Sequence, residues 1–143
     1  MSYYYEENNK WRRIVAGALV AAAVLVITFK YLQCGDVWVK WDSERVERGD
    51  VATLWVRVKN CTDKTMEMVV VKVDPVSPYL RVYSEQNMWS NEFYIPKLAS
   101  GAEATARFGV VVDSNAYAGD HAVRVIVAMP GETRVYESKI RVV

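Results

Sequence analysis

Two hydrophobic patterns divide the chain. From Ile14 to Phe29 the residues read IVAGALVAAAVLVITF, sixteen without a charge, and Lys30-Tyr31-Leu32 extends the run to nineteen. As a helix at 1.5 Å per residue, that run spans about 28 Å, close to the ~30 Å hydrocarbon core of a bilayer. Lys30 is compatible with the span, because its long stem lets the ammonium snorkel to the interface. Trp11 and Tyr31 stand at the two ends, where amphipathic rings favour the headgroup region. Lys10, Arg12 and Arg13 precede the run and only Lys30 stands at its far end. The positive-inside rule then predicts a single-pass protein of the cell membrane, with a cytoplasmic N-terminus and an extracytoplasmic C-terminal domain. A cleaved signal peptide is disfavoured, because Lys30-Tyr31-Leu32-Gln33-Cys34 lacks the small residues of a cleavage site. Lipoprotein processing before Cys34 meets the same objection at Gln33. Arg12-Arg13 reads as a topology determinant in the absence of the rest of a twin-arginine motif.

From Asp36 the period changes to two. Val37, Val39 and Trp41 alternate with Trp38 and Lys40, and Glu47-Arg48-Gly49-Asp50 makes a turn. Over Val51–Lys59, Ala52, Leu54, Val56 and Val58 share one face while Thr53, Trp55, Arg57 and Lys59 share the other, the pattern of a half-buried antiparallel strand. Asn60–Lys64 is the next turn. Met66–Val73 is a third strand whose facing is ambiguous, followed by breaks at Asp74-Pro75 and Ser77-Pro78 and a short strand over Tyr79–Tyr83. Ser84–Glu92 reads as the longest loop and Phe93–Ile95 as an edge strand ended by Pro96. Ala102–Asp113 places Ala104, Ala106, Phe108, Val110 and Val112 on one side, and Ala122–Ala128 does the same for Val123, Val125 and Val127. Pro130-Gly131 suits a type II turn into a last strand, Thr133–Val143, that buries Tyr136, Ile140 and Val142.

Seven or eight short strands with Gly/Pro turns and no helical period predict an all-β ectodomain. An immunoglobulin-like two-sheet β-sandwich is preferred to a barrel, preceded by one N-terminal transmembrane α-helix. The predicted organisation is a cytoplasmic tail over 1–13, the helix over 14–32, a linker over 33–35 and the sandwich over 36–143.

The turn-and-strand motifs resemble a CARDB-type domain. Val46-Glu47-Arg48-Gly49-Asp50 followed by Leu54–Asn60 is similar to that family's opening, a "G-[DE]" turn before a strand ending in "v-x-N". Ile95–Glu103 resembles its "i-x-x-L-x-x-G-e", and Ala118–Val125 its "a-G-x-y-x-v-x-v". The resemblance implies a prokaryotic, often archaeal, cell-surface module used for adhesion or spacing. A membrane-anchored β-sandwich also looks like the stator-type accessory proteins of the archaeal motility filament, although those begin with a different, pilin-like segment. Such motifs carry fold rather than function.

Charge narrows the partners. Residues 36–143 hold 14 Lys+Arg against 15 Asp+Glu, with signs interspersed. No basic stripe of a nucleic-acid binder is present, so no nucleic acid is expected. His121 is the sole histidine, no CxxC occurs, and neither GxGxxG nor a P-loop is found. No catalytic site, cofactor, metal or small-molecule substrate is therefore expected, and His121 is expected to cap a strand end. Met66 and Met68 alternate on one strand, so core packing is their expected use. Cys34 and Cys61 either pair in an oxidising compartment or stand as independent small residues. Asn60-Cys61-Thr62 fits N-x-[ST], which makes Asn60 a candidate glycosylation site, while Asn60 equally fits the strand-ending Asn of the CARDB pattern.

The candidate interaction residues are tryptophans. Trp38 and Trp55 fall on the polar faces of neighbouring strands and Trp89 in the long loop, where outward tryptophans mark binding patches. Trp38 has a second reading as an interfacial anchor, and Trp55 as a ring covered by the other sheet or the membrane. Gly17, Ala18, Ala21 and Ala22 are candidate helix-packing residues, since small side chains let helix backbones approach. The expectation is a structural or interaction protein of the cell envelope or a surface filament, whose partners are the lipid bilayer and other envelope or membrane proteins. The alternative is a non-catalytic accessory subunit of a multi-subunit membrane enzyme or transport complex.

Overall fold

A computed structural model describes residues 37–143. The expectations for the transmembrane helix with Gly17, Ala18, Ala21 and Ala22, for the 33–35 linker and for Cys34 lie outside the described residues. The described chain is all-β and forms two sheets. One has the order β1 (Val37–Trp41), β3 (Val51–Lys59), β7 (Glu103–Val112), β5 (Leu80–Ser84). The other runs β2 (Arg45–Val46), β9 (Glu132–Val142), β8 (Gly119–Met129), β4 (Met66–Pro75), β6 (Glu92–Leu98). All pairings are antiparallel except β2 with β9.

The sandwich core is what the alternation dictates. Ala52, Leu54, Val56 and Val58 of β3 and Ala106, Phe108, Val110 and Val112 of β7 are buried on the inner face of the first sheet. Val69, Val71 and Val73 of β4 and Val123, Val125 and Val127 of β8 are buried in the second sheet and belong to the same core. Phe108 is the largest fully buried side chain. Each of the buried Val, Leu and Phe side chains contributes roughly 1.5–3 kcal/mol on burial. One edge is tied by Trp41, whose Nε1–H donates to Ser138 Oγ of β9 at 2.8 Å. The Pro130-Gly131 turn closes the β8–β9 hairpin with Gly131 at φ 77°, the positive value that a type II turn needs after proline.

Several expectations are corrected. Pro96 does not end its strand: β6 runs through it to Leu98, which an edge strand tolerates because no inner neighbour needs its missing N–H. Met68 does not pack in the core. It has φ 58° and is half exposed, and with Pro96 it occupies the rung between Glu67↔Lys97 and Val69↔Ile95. Both strands change face at that rung. Met66 and Leu98 point inward on one side of it, Val69 and Ile95 on the other, which is why the facing of β4 could not be read from a strict period of two. Tyr136 is half-buried rather than enclosed. The two-residue β2 was not anticipated, and β8 begins at Gly119, ahead of the expected start.

Candidate interaction surface

The outer face of the β1-β3-β7-β5 sheet gathers aromatic and cationic side chains by register. Trp38 of β1 lies opposite Arg57 of β3, which lies opposite Thr105 of β7. One rung further, Lys40 lies opposite Trp55 and Trp55 opposite Arg107. In each rung a guanidinium sits over the neighbouring indole: Arg57 Cζ is 5.7 Å from the Trp38 ring centroid and Arg107 Cζ 5.7 Å from that of Trp55. Cross-strand pairs of this kind combine ring packing with cation–π attraction. Each arginine is also steered by a carboxylate, Arg57 by Glu103 at 4.0 Å and Arg107 by Glu85 at 3.3 Å. These ion pairs are exposed and contribute little to stability.

The indoles remain accessible, Trp38 at 44% and Trp55 at 40%. Together with Lys40, Arg57, Thr105 and Arg107 they line a shallow groove of about 310 Å³. The same face is filled further up by Tyr83, whose ring lies across Gly109 so closely that a Cβ there would meet Tyr83 Cζ at 2.1 Å. The sequence therefore placed Trp38 and Trp55 on the outer face, and the structure brings them together.

Trp89 lies apart from the groove, in the β5–β6 loop, and is 96% exposed. The loop is held tightly around it. Ser84 N–H donates to Ser90 O at 2.6 Å, Ser90 N–H to Asn87 O at 3.1 Å, and Trp89 N–H to Asn87 Oδ1 at 3.0 Å. Gln86 bridges to both backbone groups of Tyr94, donating to its carbonyl at 2.8 Å and accepting from its N–H at 2.7 Å. Asn91 Nδ2 reaches Val73 O at 3.0 Å and Asp74 Oδ1 at 2.8 Å. The Tyr94 phenol donates to the Glu92 carboxylate, and that hydrogen bond with the adjacent negative charge raises the Tyr94 pKa above the usual phenol value.

Asn60 is not presented as a glycan acceptor. It is fully buried, and its Nδ2 donates to Lys64 O and Leu98 O, both at 2.8 Å. Its Oδ1 accepts from Thr62 N–H at 3.0 Å and Thr62 Oγ1–H at 2.7 Å. The N-x-T triplet is thus explained by a staple between two turns, in keeping with the strand-ending Asn. Cys61 beside it is half-buried, and its proposed partner Cys34 is outside the described residues.

His121 is the residue whose setting the sequence concealed. It is 1% exposed and does not cap a strand end at the surface. Its Nε2 lies 2.8 Å from Tyr117 O, which only accepts, so Nε2 carries the proton. Nδ1 then accepts from Ser77 Oγ–H at 2.7 Å. Ser77 Oγ in turn accepts from Tyr79 N–H at 3.3 Å, and the Tyr79 and Tyr117 rings pack against the imidazole. This serine–histidine pair is enclosed, the imidazole is oriented by a carbonyl rather than a carboxylate, and every polar atom is used. Ser77 and His121 are 44 positions apart, and no local motif announces them. Among the described residues no group of three or more His, Cys, Asp or Glu is placed to hold a metal ion.

The sequence matches no protein-family model, and no curated protein matches it closely enough to count. Solved structures do match in fold. A FixG-related protein from Vibrio parahaemolyticus has a TM-score of 0.53 at 13% identity, covering 74% of this chain and 94% of that one. A conjugative transposon lipoprotein from Bacteroides eggerthii gives 0.52 at 10% identity, covering 73% and 93%. The CARDB domain of a Pyrococcus furiosus protein, solved in complex with di-metal ions, gives 0.51 at 18% identity, covering 75% and 85%. At these identities the likeness establishes the fold, an all-β, CARDB-like sandwich.

Proposed function

We propose that this chain is a membrane-anchored, extracytoplasmic interaction protein of the cell envelope or of a surface-filament assembly, with no catalytic role of its own. The observation that carries the reading is the outer sheet face, where Trp38 and Trp55 stay open between Lys40, Arg57 and Arg107. Aromatic and arginine side chains dominate protein-binding hot spots. The enclosure of Ser77 and His121 favours a structural role for the one pair that resembles catalytic machinery. An immunoglobulin-like topology is supported by strand order: β1-β3-β7-β5 occupies the places of strands A-B-E-D, and β9-β8-β4 those of G-F-C. The departure is that β5 joins the first sheet before β6 joins the second.

Anchoring rests on the uncharged Ile14–Phe29 run and on the basic residues before it. By the CARDB resemblance, the source is an archaeal or other prokaryotic envelope. A second reading, an accessory subunit of a membrane complex, draws on Gly17, Ala18, Ala21 and Ala22 as a helix-packing surface. Both readings meet one experiment. The tagged full chain is purified from native membranes as wild type, as Trp55→Ala and as Gly17→Leu/Ala21→Leu. Loss of the co-purifying protein with Trp55→Ala supports the interaction face. Loss with the leucine pair alone favours the accessory-subunit reading, and a companion retained by both refutes the two together. Protease added outside spheroplasts should digest residues 36–143 and spare the N-terminal tail, and protection of the β domain would overturn the orientation.

A further inference from the structure

The groove and the Trp89 loop lie along one rung of the same sheet, the groove over β1, β3 and β7 and the loop beyond β5. That rung runs Lys40, Trp55, Arg107, and continues to Glu85, which is joined to Arg107 by its N–H at 3.0 Å and by the 3.3 Å ion pair. Three strand spacings of about 4.8 Å put the base of the loop about 14 Å from β1. The loop starts at Glu85 and presents Met88 and Trp89, 74% and 96% exposed, from a backbone already ordered by its own hydrogen bonds. An aromatic side chain on an ordered backbone loses only its own rotamer freedom on docking, which favours a strong anchor.

The two ends are complementary. No lysine or arginine occurs from Val82 to Pro96, while Glu85 and Glu92 flank the loop tip. The groove is lined by three cations and two indoles; Glu103 and Glu85 pair with Arg57 and Arg107 from its rim, while no ion pair to Lys40, at its β1 side, occurs among the described residues. Its volume of about 310 Å³ suits one aromatic side chain. A two-fold axis across the middle of a rung exchanges its ends, so it sets each loop over the β1 side of the other copy's groove, where Trp38 and Lys40 stand, the self-complementary arrangement of a closed dimer.

We propose that the occupant of the Trp38–Trp55 groove is Trp89 of a second copy of this chain, so that two copies pair reciprocally through the outer faces of their β1-β3-β7-β5 sheets. This rests on reading that face as an interaction surface and names its partner. The test uses the full chain, reconstituted in liposomes, in a Cys34→Ser/Cys61→Ser background. One tagged population carries Met88→Cys at the loop tip and a second carries Thr105→Cys in the groove, and a short thiol cross-linker is added to the mixture.

The expected product joins position 88 of one chain to position 105 of the other, at several-fold higher yield than the 88–88 or 105–105 products. Adding Trp89→Ala to the Met88→Cys chain, or Trp55→Ala to the Thr105→Cys chain, should reduce it several-fold. Dimers lacking the 88–105 link, as association through the N-terminal segment alone would give, overturn the proposal. So does an 88–105 yield unchanged by both alanine variants. If that link is absent while Trp55→Ala still releases the native companion, self-pairing is refuted and the interaction reading stands. If the link forms and the companion ignores Trp55, the self-pairing is supported and the wider reading is not.

Discussion

Replacing Asn60 removes a hub rather than a surface group. Its side chain makes four hydrogen bonds, to Lys64 O, Leu98 O, Thr62 N–H and Thr62 Oγ1–H, while its backbone pairs with Ala102 and Gly101. A typical hydrogen bond contributes about 1 kcal/mol net, and a buried group left without a partner costs about 1–3 kcal/mol. In Asn60→Ala the Leu98 carbonyl loses its buried partner, whereas water can serve the exposed Lys64 and Thr62 groups. The expected loss is therefore about 2–3 kcal/mol. For a domain of this size that lowers Tm by roughly 10–20 °C. Asn60→Asp keeps the shape but places acceptor oxygen against two carbonyls, so it should lose at least as much. A carboxyl so placed has its pKa raised on folding, so that variant regains stability as pH falls and loses it as pH rises. Thr62→Val destroys the N-x-T triplet as completely as either change, yet removes only the hydroxyl's bonds and should cost about 1 kcal/mol. Urea or thermal denaturation of the β domain gives the ranking, and intact mass from the native host tests for a glycan. An Asn60→Asp variant as stable as wild type, or Thr62→Val and Asn60→Ala falling together with loss of a glycan mass, would refute the staple.

Phe108→Ala should destabilise by about 3–5 kcal/mol, read from the denaturation midpoint, because Phe108 is the largest buried side chain of the core. Gly109→Ala should cost about 1–3 kcal/mol by driving a methyl into the Tyr83 ring. In a Tyr83→Ala background the same change should cost far less, and a double-mutant cycle showing no coupling would contradict the stacked pair. His121→Ala should lower stability by about 2–4 kcal/mol, by leaving a cavity and removing the partners of Ser77 Oγ and Tyr117 O, while leaving partner binding unaltered once the fold is retained.

The fold was legible where one face of a strand is wholly apolar. In β3, β7 and β8 the apolar positions recur every second residue, and each buried face is the one the alternation selects. Legibility failed where a strand turns over. The positive φ at Met68 and the proline opposite it leave the sequence period looking confused, because the period does change there. The outward tryptophans were visible one strand at a time. Their gathering into a groove depends on the β1–β3–β7 register, which no single strand encodes. Arg57 and Arg107 could have been suspected, since each shares the outward parity of its strand, but the indole beneath each comes from a neighbouring strand. Ser77 with His121, and Asn60 with Leu98, depend on contacts between distant segments, 44 and 38 residues apart. Neither pair leaves a local trace.

Under the proposed function, this domain works by binding through exposed tryptophans. The most direct test measures the affinity of the native companion, once isolated, for wild type, Trp55→Ala, Trp89→Ala and His121→Ala, with the fold of each checked by denaturation. Truncating a hot-spot aromatic costs at least about 1–2 kcal/mol, so Kd should rise roughly 5- to 30-fold for each tryptophan variant and stay at the wild-type value for His121→Ala. Tryptophan variants that bind as well as wild type, beside a His121→Ala protein that is folded and inactive, would contradict the account.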